Sequence, residues 1–92
     1  GQTFDLTDDE ITVGREGDIA IGDDDEKPRV SRKHFTLTYR GHAYVLTDTS
    51  TNGTFVNGIR VSGKQVLADR DVIRVGEMEL RYAKVSPHLT GS

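Results

Sequence analysis

The stretch Val30-Ser31-Arg32-Lys33-His34-Phe35 sets a hydroxyl, two cations and an imidazole side by side. Two chemistries use such groups. A serine with a histidine and a more distant Asp48 could be assembled into a hydrolytic relay. A serine among cations could instead offer hydrogen-bond donors to an anion. The relay lacks a G-x-S-x-G elbow, and the neighbouring cations suit a waiting oxyanion better than a hidden general base. Two further polar segments supply the rest of an anion receptor. Gly14-Arg15 brings a planar guanidinium fork able to hold an oxyanion through two hydrogen bonds. Asp48-Thr49-Ser50-Thr51-Asn52-Gly53-Thr54 brings hydroxyls, an amide and backbone N–H groups. With 92 residues there is little room for a deep substrate cavity. The expectation is a binding module and not an enzyme.

For three segments so far apart in sequence to meet, the chain must gather its loops at one end. The apolar pattern supplies a way. Phe4 and Leu6, Ile11 and Val13, Ile19 and Ile21, then Phe35, Leu37 and Tyr39 each alternate with polar neighbours. So do Tyr44 with Leu46, and Met78, Leu80 and Tyr82, while Val72, Ile73 and Val75 form a denser run. Turn formers separate the runs at Gly17-Asp18, Gly41-His42, Asn52-Gly53, Asn57-Gly58, Ser62-Gly63 and Gly76. Short period-two runs at close spacing predict an all-β, antiparallel β-sandwich. Asn57-Gly58, between Phe55-Val56 and Ile59-Arg60, predicts a two-residue hairpin whose central residues both take positive φ. No helical period, internal repeat or linker is evident. The reading is one domain over residues 1–85 and a C-terminal tail over 86–92.

The three polar segments, in this order and at these intervals, resemble the forkhead-associated domain. "ITVGR", "VSRKHF", "DTSTNGTFVNG" and "DVIRVGEMELRY" carry the resemblance, which spans roughly residues 3–84. It implies a sandwich of about eleven strands whose loops at one end bind phosphothreonine peptides. Under it, Arg15 and Ser31 grip the phosphate, Arg32 adds a donor, and Thr51 touches the phosphate or the threonine methyl. Asn52 holds the peptide main chain. Arg29 reads a side chain about three positions after the phosphothreonine, with a preference for an acid. His34 braces the loop that presents Ser31, and Gly14 and Gly53 permit sharp chain paths. Members usually begin with a strand ahead of the segment that here starts at Thr3. An edge left unpaired by its absence would favour a phosphate-independent interaction through that edge or a sheet face, or a strand-exchanged dimer in place of a monomer. Alternatively, the tail covers it.

Charge and composition narrow the partners. The net charge is −3, yet ten of the fifteen acids fall within residues 5–26, and Lys27, Arg29, Arg32 and Lys33 follow with no acid among them. One short basic loop on an acidic molecule favours a local anionic partner over nucleic acid. Lys27 and Lys33 are expected to face solvent. Without cysteine there is no disulfide framework or thiolate metal site. The run Gly22-Asp23-Asp24-Asp25-Glu26 lacks the alternate spacing of a calcium loop and reads as a solvated acidic loop, so neither metal nor cofactor is expected. No apolar stretch is long enough to cross a bilayer as a helix. The expected setting is intracellular, without membrane association.

Overall fold

A computed structural model describes residues 2–22, 29–84 and 88–91. The described residues form eleven strands and no helix. They are β1 (Gln2–Asp5), β2 (Glu10–Gly14), β3 (Ile19–Ala20), β4 (Phe35–Arg40), β5 (Ala43–Asp48) and β6 (Phe55–Val56), followed by β7 (Ile59–Arg60), β8 (Lys64–Val66), β9 (Val72–Val75), β10 (Met78–Ala83) and β11 (His88–Gly91). One sheet has the order β1-β11-β10-β9-β6-β7 and the other β3-β2-β4-β5-β8. The alternating residues read from the sequence line the space between them. Ile11, Val13, Phe35, Leu37, Tyr44 and Leu46 come from one sheet, and Val56, Ile73, Val75, Leu80, Tyr82 and Leu89 from the other; all are buried. Period-two burial on both inner faces is what an all-β sandwich requires.

Local detail departs from the sequence reading in three places. Tyr39 stays 41% exposed at the end of its strand, its ring 5.1 Å from that of Tyr44. The pairing of β2 with β3 is parallel, Val13 opposite Ile19 and Gly14 opposite Ala20. The chain doubles back within residues 14–18, where Asp18 Oδ2 accepts from Thr12 N–H at 3.0 Å. Residues 88–91, left in a tail by the sequence alone, form β11. That strand pairs antiparallel with β10 on one side and β1 on the other, with Phe4 opposite Leu89 and Leu89 opposite Tyr82. It therefore covers an edge of β10, in line with the alternative in which the tail covers a sheet edge. The acidic run at residues 23–26, Lys27 and Pro28 lie outside the described residues.

The Asn57-Gly58 hairpin has the expected form. Val56 pairs with Ile59, and Asn57 and Gly58 have φ of 52° and 83°. Its outer anchor is Asp71, whose Oδ1 accepts from Asn57 Nδ2 at 2.9 Å.

Leu89 is fully buried between two strands, so its truncation leaves a cavity. Leu89→Ala should cost about 2–5 kcal/mol of folding stability. Urea denaturation would measure it; a loss below about 0.5 kcal/mol, the range of ordinary surface changes, would show that β11 is not part of the cooperative unit.

Candidate functional site

The first polar segment begins where β2 ends. Its backbone runs alongside the loop before β4: His34 N–H donates to Val13 O at 2.8 Å, Arg15 N–H to Ser31 O at 3.1 Å, and Glu16 N–H to Arg32 O at 3.0 Å. The approach is so close that a Cβ on Gly14 would lie 2.3 Å from Arg32 O and 2.7 Å from His34 N. Any other residue would push the two loops apart. Arg15 and Ser31, distant in sequence, are thus hydrogen-bonded neighbours. The Arg15 side chain is exposed, and its Nε donates to Val30 O at 2.7 Å. That bond fixes the stem of the guanidinium. Among the described residues no carboxylate lies within 4 Å of it.

His34 joins the second segment to the third. It is fully buried. Ser31 N–H donates to its Nδ1 at 3.0 Å, and its Nε2 stands 2.9 Å from Gly53 O. A backbone N–H only donates and a carbonyl only accepts, so the ring carries its proton on Nε2 and none on Nδ1. Ser31 Oγ in turn accepts from Thr51 N–H at 3.2 Å. Thr49 repeats the link on the other side: its N–H donates to His34 O at 3.0 Å and its hydroxyl to Lys33 O at 2.7 Å.

The third segment is shaped from within by Asp48. Its Oδ1 accepts from Ser50 N–H at 3.0 Å, Ser50 Oγ at 2.6 Å and Thr54 Oγ1 at 3.0 Å. Ser50 Oγ also accepts from Gly53 N–H at 2.8 Å. The turn presents Thr51 and Asn52 outward, both exposed. Asn52 Nδ2 donates to Arg29 O at 3.1 Å, tying this loop to the start of the second. The Arg29 guanidinium meets Glu77, in the turn between β9 and β10; the pair is exposed. Arg32 points its Nε at Glu16 Oε2, 3.8 Å away and also exposed.

The residues read from sequence therefore gather in one place. Gly14, Arg15, Arg29, Ser31, Arg32, His34, Thr51, Asn52 and Gly53 are joined directly or through one another by the bonds above. The same bonds show no Ser–His–Asp relay. The imidazole nitrogens of His34 face Ser31 N–H and Gly53 O, not the serine hydroxyl and Asp48. Two features were not read from sequence. One is the turn built on Asp48 and Ser50, for which the Asp-x-Ser spacing is a usable signal. The other is Arg60 on β7, whose guanidinium lies over Gly53: a Cβ there would sit 3.0 Å from its Nε, on a backbone with φ of 97°.

Comparison with known proteins agrees with this geometry. A family model of the FHA domain matches residues 11–76. The chain belongs to the FHA domain family. It is 40% identical over 81 residues to the FHA domain-containing protein FhaA of Mycobacterium tuberculosis (strain ATCC 25618 / H37Rv), a match covering 87% of this chain and 15% of that protein. The chain thus spans a small part of that relative. Among solved structures, the FhaA FHA domain complexed with the intracellular domain of Rv3910 superposes with a TM-score of 0.73 at 36% identity, over 86% of this chain and 85% of that one. The N-terminal FHA domain of Rad53 from S. cerevisiae, in complex with a phosphothreonine peptide, gives 0.65 at 30% identity, over 89% and 64%.

The Asp48 turn gives a pH prediction. Burial alone raises the Asp48 carboxyl, but the hydrogen bonds from the Ser50 hydroxyl and N–H and the Thr54 hydroxyl outweigh it and hold the group below its ordinary 3.8. A carboxyl lowered by folding contributes stability that is fully present above 3.8 and is lost as pH falls through the folded value. Wild type should therefore exceed Asp48→Asn in denaturant midpoint at neutral pH, and the gap should close below pH 3.8. A gap that stays constant into acid would show that the carboxylate is not the acceptor.

Proposed function

We propose that this domain binds phosphothreonine-containing segments of partner proteins, with the phosphate between Arg15 and Ser31. The single observation that carries the reading is the placement of the Arg15 guanidinium. Its stem is bonded to Val30 O, its backbone to Ser31, and no carboxylate of the described residues neutralises it. A phosphothreonine carries about −1.5 to −2 charges at pH 7 and three acceptor oxygens. Arg15 supplies the charge and the fork, and Ser31 Oγ and the Thr51 hydroxyl supply neutral donors. Asn52, exposed at the rim, holds the peptide main chain. The FhaA and Rad53 domains support the reading by their likeness. His34 is an architectural residue and touches no ligand.

Arg29 is the specificity residue in this scheme. Because Glu77 already faces it, an acidic peptide side chain has to displace that carboxylate. Exposed ion pairs are worth about 0–1 kcal/mol, so the preference for an acid should be modest. Arg32 is a weaker candidate for phosphate contact than Arg15, since Glu16 partly neutralises it.

Calorimetric titration with matched phosphothreonine, phosphoserine and unphosphorylated peptides tests the reading. Wild type should bind the first most tightly, and Arg15→Ala should lose about 2–5 kcal/mol of that binding. Equal binding of all three would contradict it. For Arg29, changing the peptide's acid about three places after the phosphothreonine to alanine should weaken binding to wild type and leave Arg29→Ala indifferent. Glu77→Gln should strengthen binding of the acidic peptide only. An unchanged preference in Arg29→Ala would remove Arg29 from the site.

A further inference from the structure

Arg60 opens onto a surface that the phosphate site does not use. On the outer face of the six-stranded sheet, Phe55 of β6 is paired with Arg60 of β7 on one side and Arg74 of β9 on the other. Directly paired residues share a face, and here it is the solvent face, since Val56 and Ile73 next to them are buried. The Arg74 guanidinium lies over the Phe55 ring, 5.5 Å from its centroid. Among the described residues no carboxylate comes within 4 Å of Arg60 or Arg74. Glu79, opposite Arg74 on β10, marks the end of the row. In a molecule of net charge −3, two exposed arginines flanking a half-buried aromatic ring form a local basic strip. Through Arg60 it is continuous with the phosphate-site loops at Gly53.

We propose that this strip is a second docking surface, and that its occupant is an acidic, extended segment of the same partner polypeptide, flanking the phosphothreonine. The inference rests on the phosphothreonine reading above and adds a contact outside the pocket. Charge complementarity selects the acid. Geometry sets the spacing: adjacent strands are about 4.8 Å apart, so Arg60 and Arg74 stand about 10 Å apart, or about three residues of extended chain. With the segment in the extended polyproline II form, whose side chains return to one face every third residue, two acids at that interval meet the two guanidiniums, and the two residues between them pass over Phe55. An acid beyond Arg74 meets Glu79 and is repelled.

The test uses a phosphothreonine peptide and the same peptide extended, on its amino or its carboxyl side, with two glutamates spaced by about three residues or with two glutamines. Fluorescence anisotropy gives the affinities at low and high salt. For wild type, one of the two glutamate extensions should bind about threefold to tenfold more tightly than its glutamine counterpart, and salt should shrink the gain. Arg74→Gln should abolish the gain while leaving the unextended phosphopeptide's affinity unchanged; Arg60→Gln should also abolish it. Wild type that binds the unextended phosphopeptide but does not distinguish glutamate from glutamine on either side overturns the strip and leaves the phosphothreonine reading standing. So does a gain that survives in Arg74→Gln. Failure of wild type to bind the unextended phosphopeptide overturns both.

Discussion

One buried imidazole holds the site together. The backbone hydrogen bonds of a sandwich run within each sheet and stop at the strand ends, so nothing in the sheets themselves fixes how the end loops sit against one another. His34 does this with two hydrogen bonds, one from Ser31 N–H and one to Gly53 O. The loop before β4 and the loop after β5 become a single unit. The loop after β2 joins through backbone bonds that only glycine at position 14 allows. A buried polar ring is costly unless both of its nitrogens are satisfied, and here they are. The ordering of the binding loops is thus built into folding, and a ligand does not have to impose it.

Around that tie, each remaining group has a defined condition. Arg15 is anchored by its Nε with its end exposed. Arg29 and Arg32 each face an acid, Glu77 and Glu16. The cations of this end are therefore graded, with the strongest field at Arg15, which no acid among the described residues answers. In the proposed function this grading lets a molecule of net negative charge attract a doubly charged anion to one point rather than bind polyanions generally. Under that proposal it also separates affinity, carried by Arg15, from selectivity, carried by residues whose charge is already partly met.

Much of this was legible in the sequence, for physical reasons. Side-chain alternation has a fixed period in strands, so the core from Ile11 to Tyr82 could be read directly. Asn57-Gly58 specifies its own turn. The three polar segments could be placed in loops because each lies beside an apolar run, and the family resemblance implied that they share one end. What escaped the reading depends on partners remote in sequence. β11 has few residues, with Leu89 facing the core, and its register comes from β1 and β10 on either side. The parallel β2–β3 pair comprises two partners and leaves no periodic signal. Glu16 opposite Arg32, Glu77 opposite Arg29, and Arg60 over Gly53 are contacts between chain segments that no local pattern joins.

The protonation state of His34 tests the account most directly. Long-range nitrogen–proton NMR at neutral pH reports which ring nitrogen carries a proton. The hydrogen bonds require a neutral ring with the proton on Nε2 and a bare Nδ1. A proton on Nδ1, in either the neutral or the charged ring, would contradict them, because Ser31 N–H would then face another donor and the imidazole's own tie between the loops could not exist.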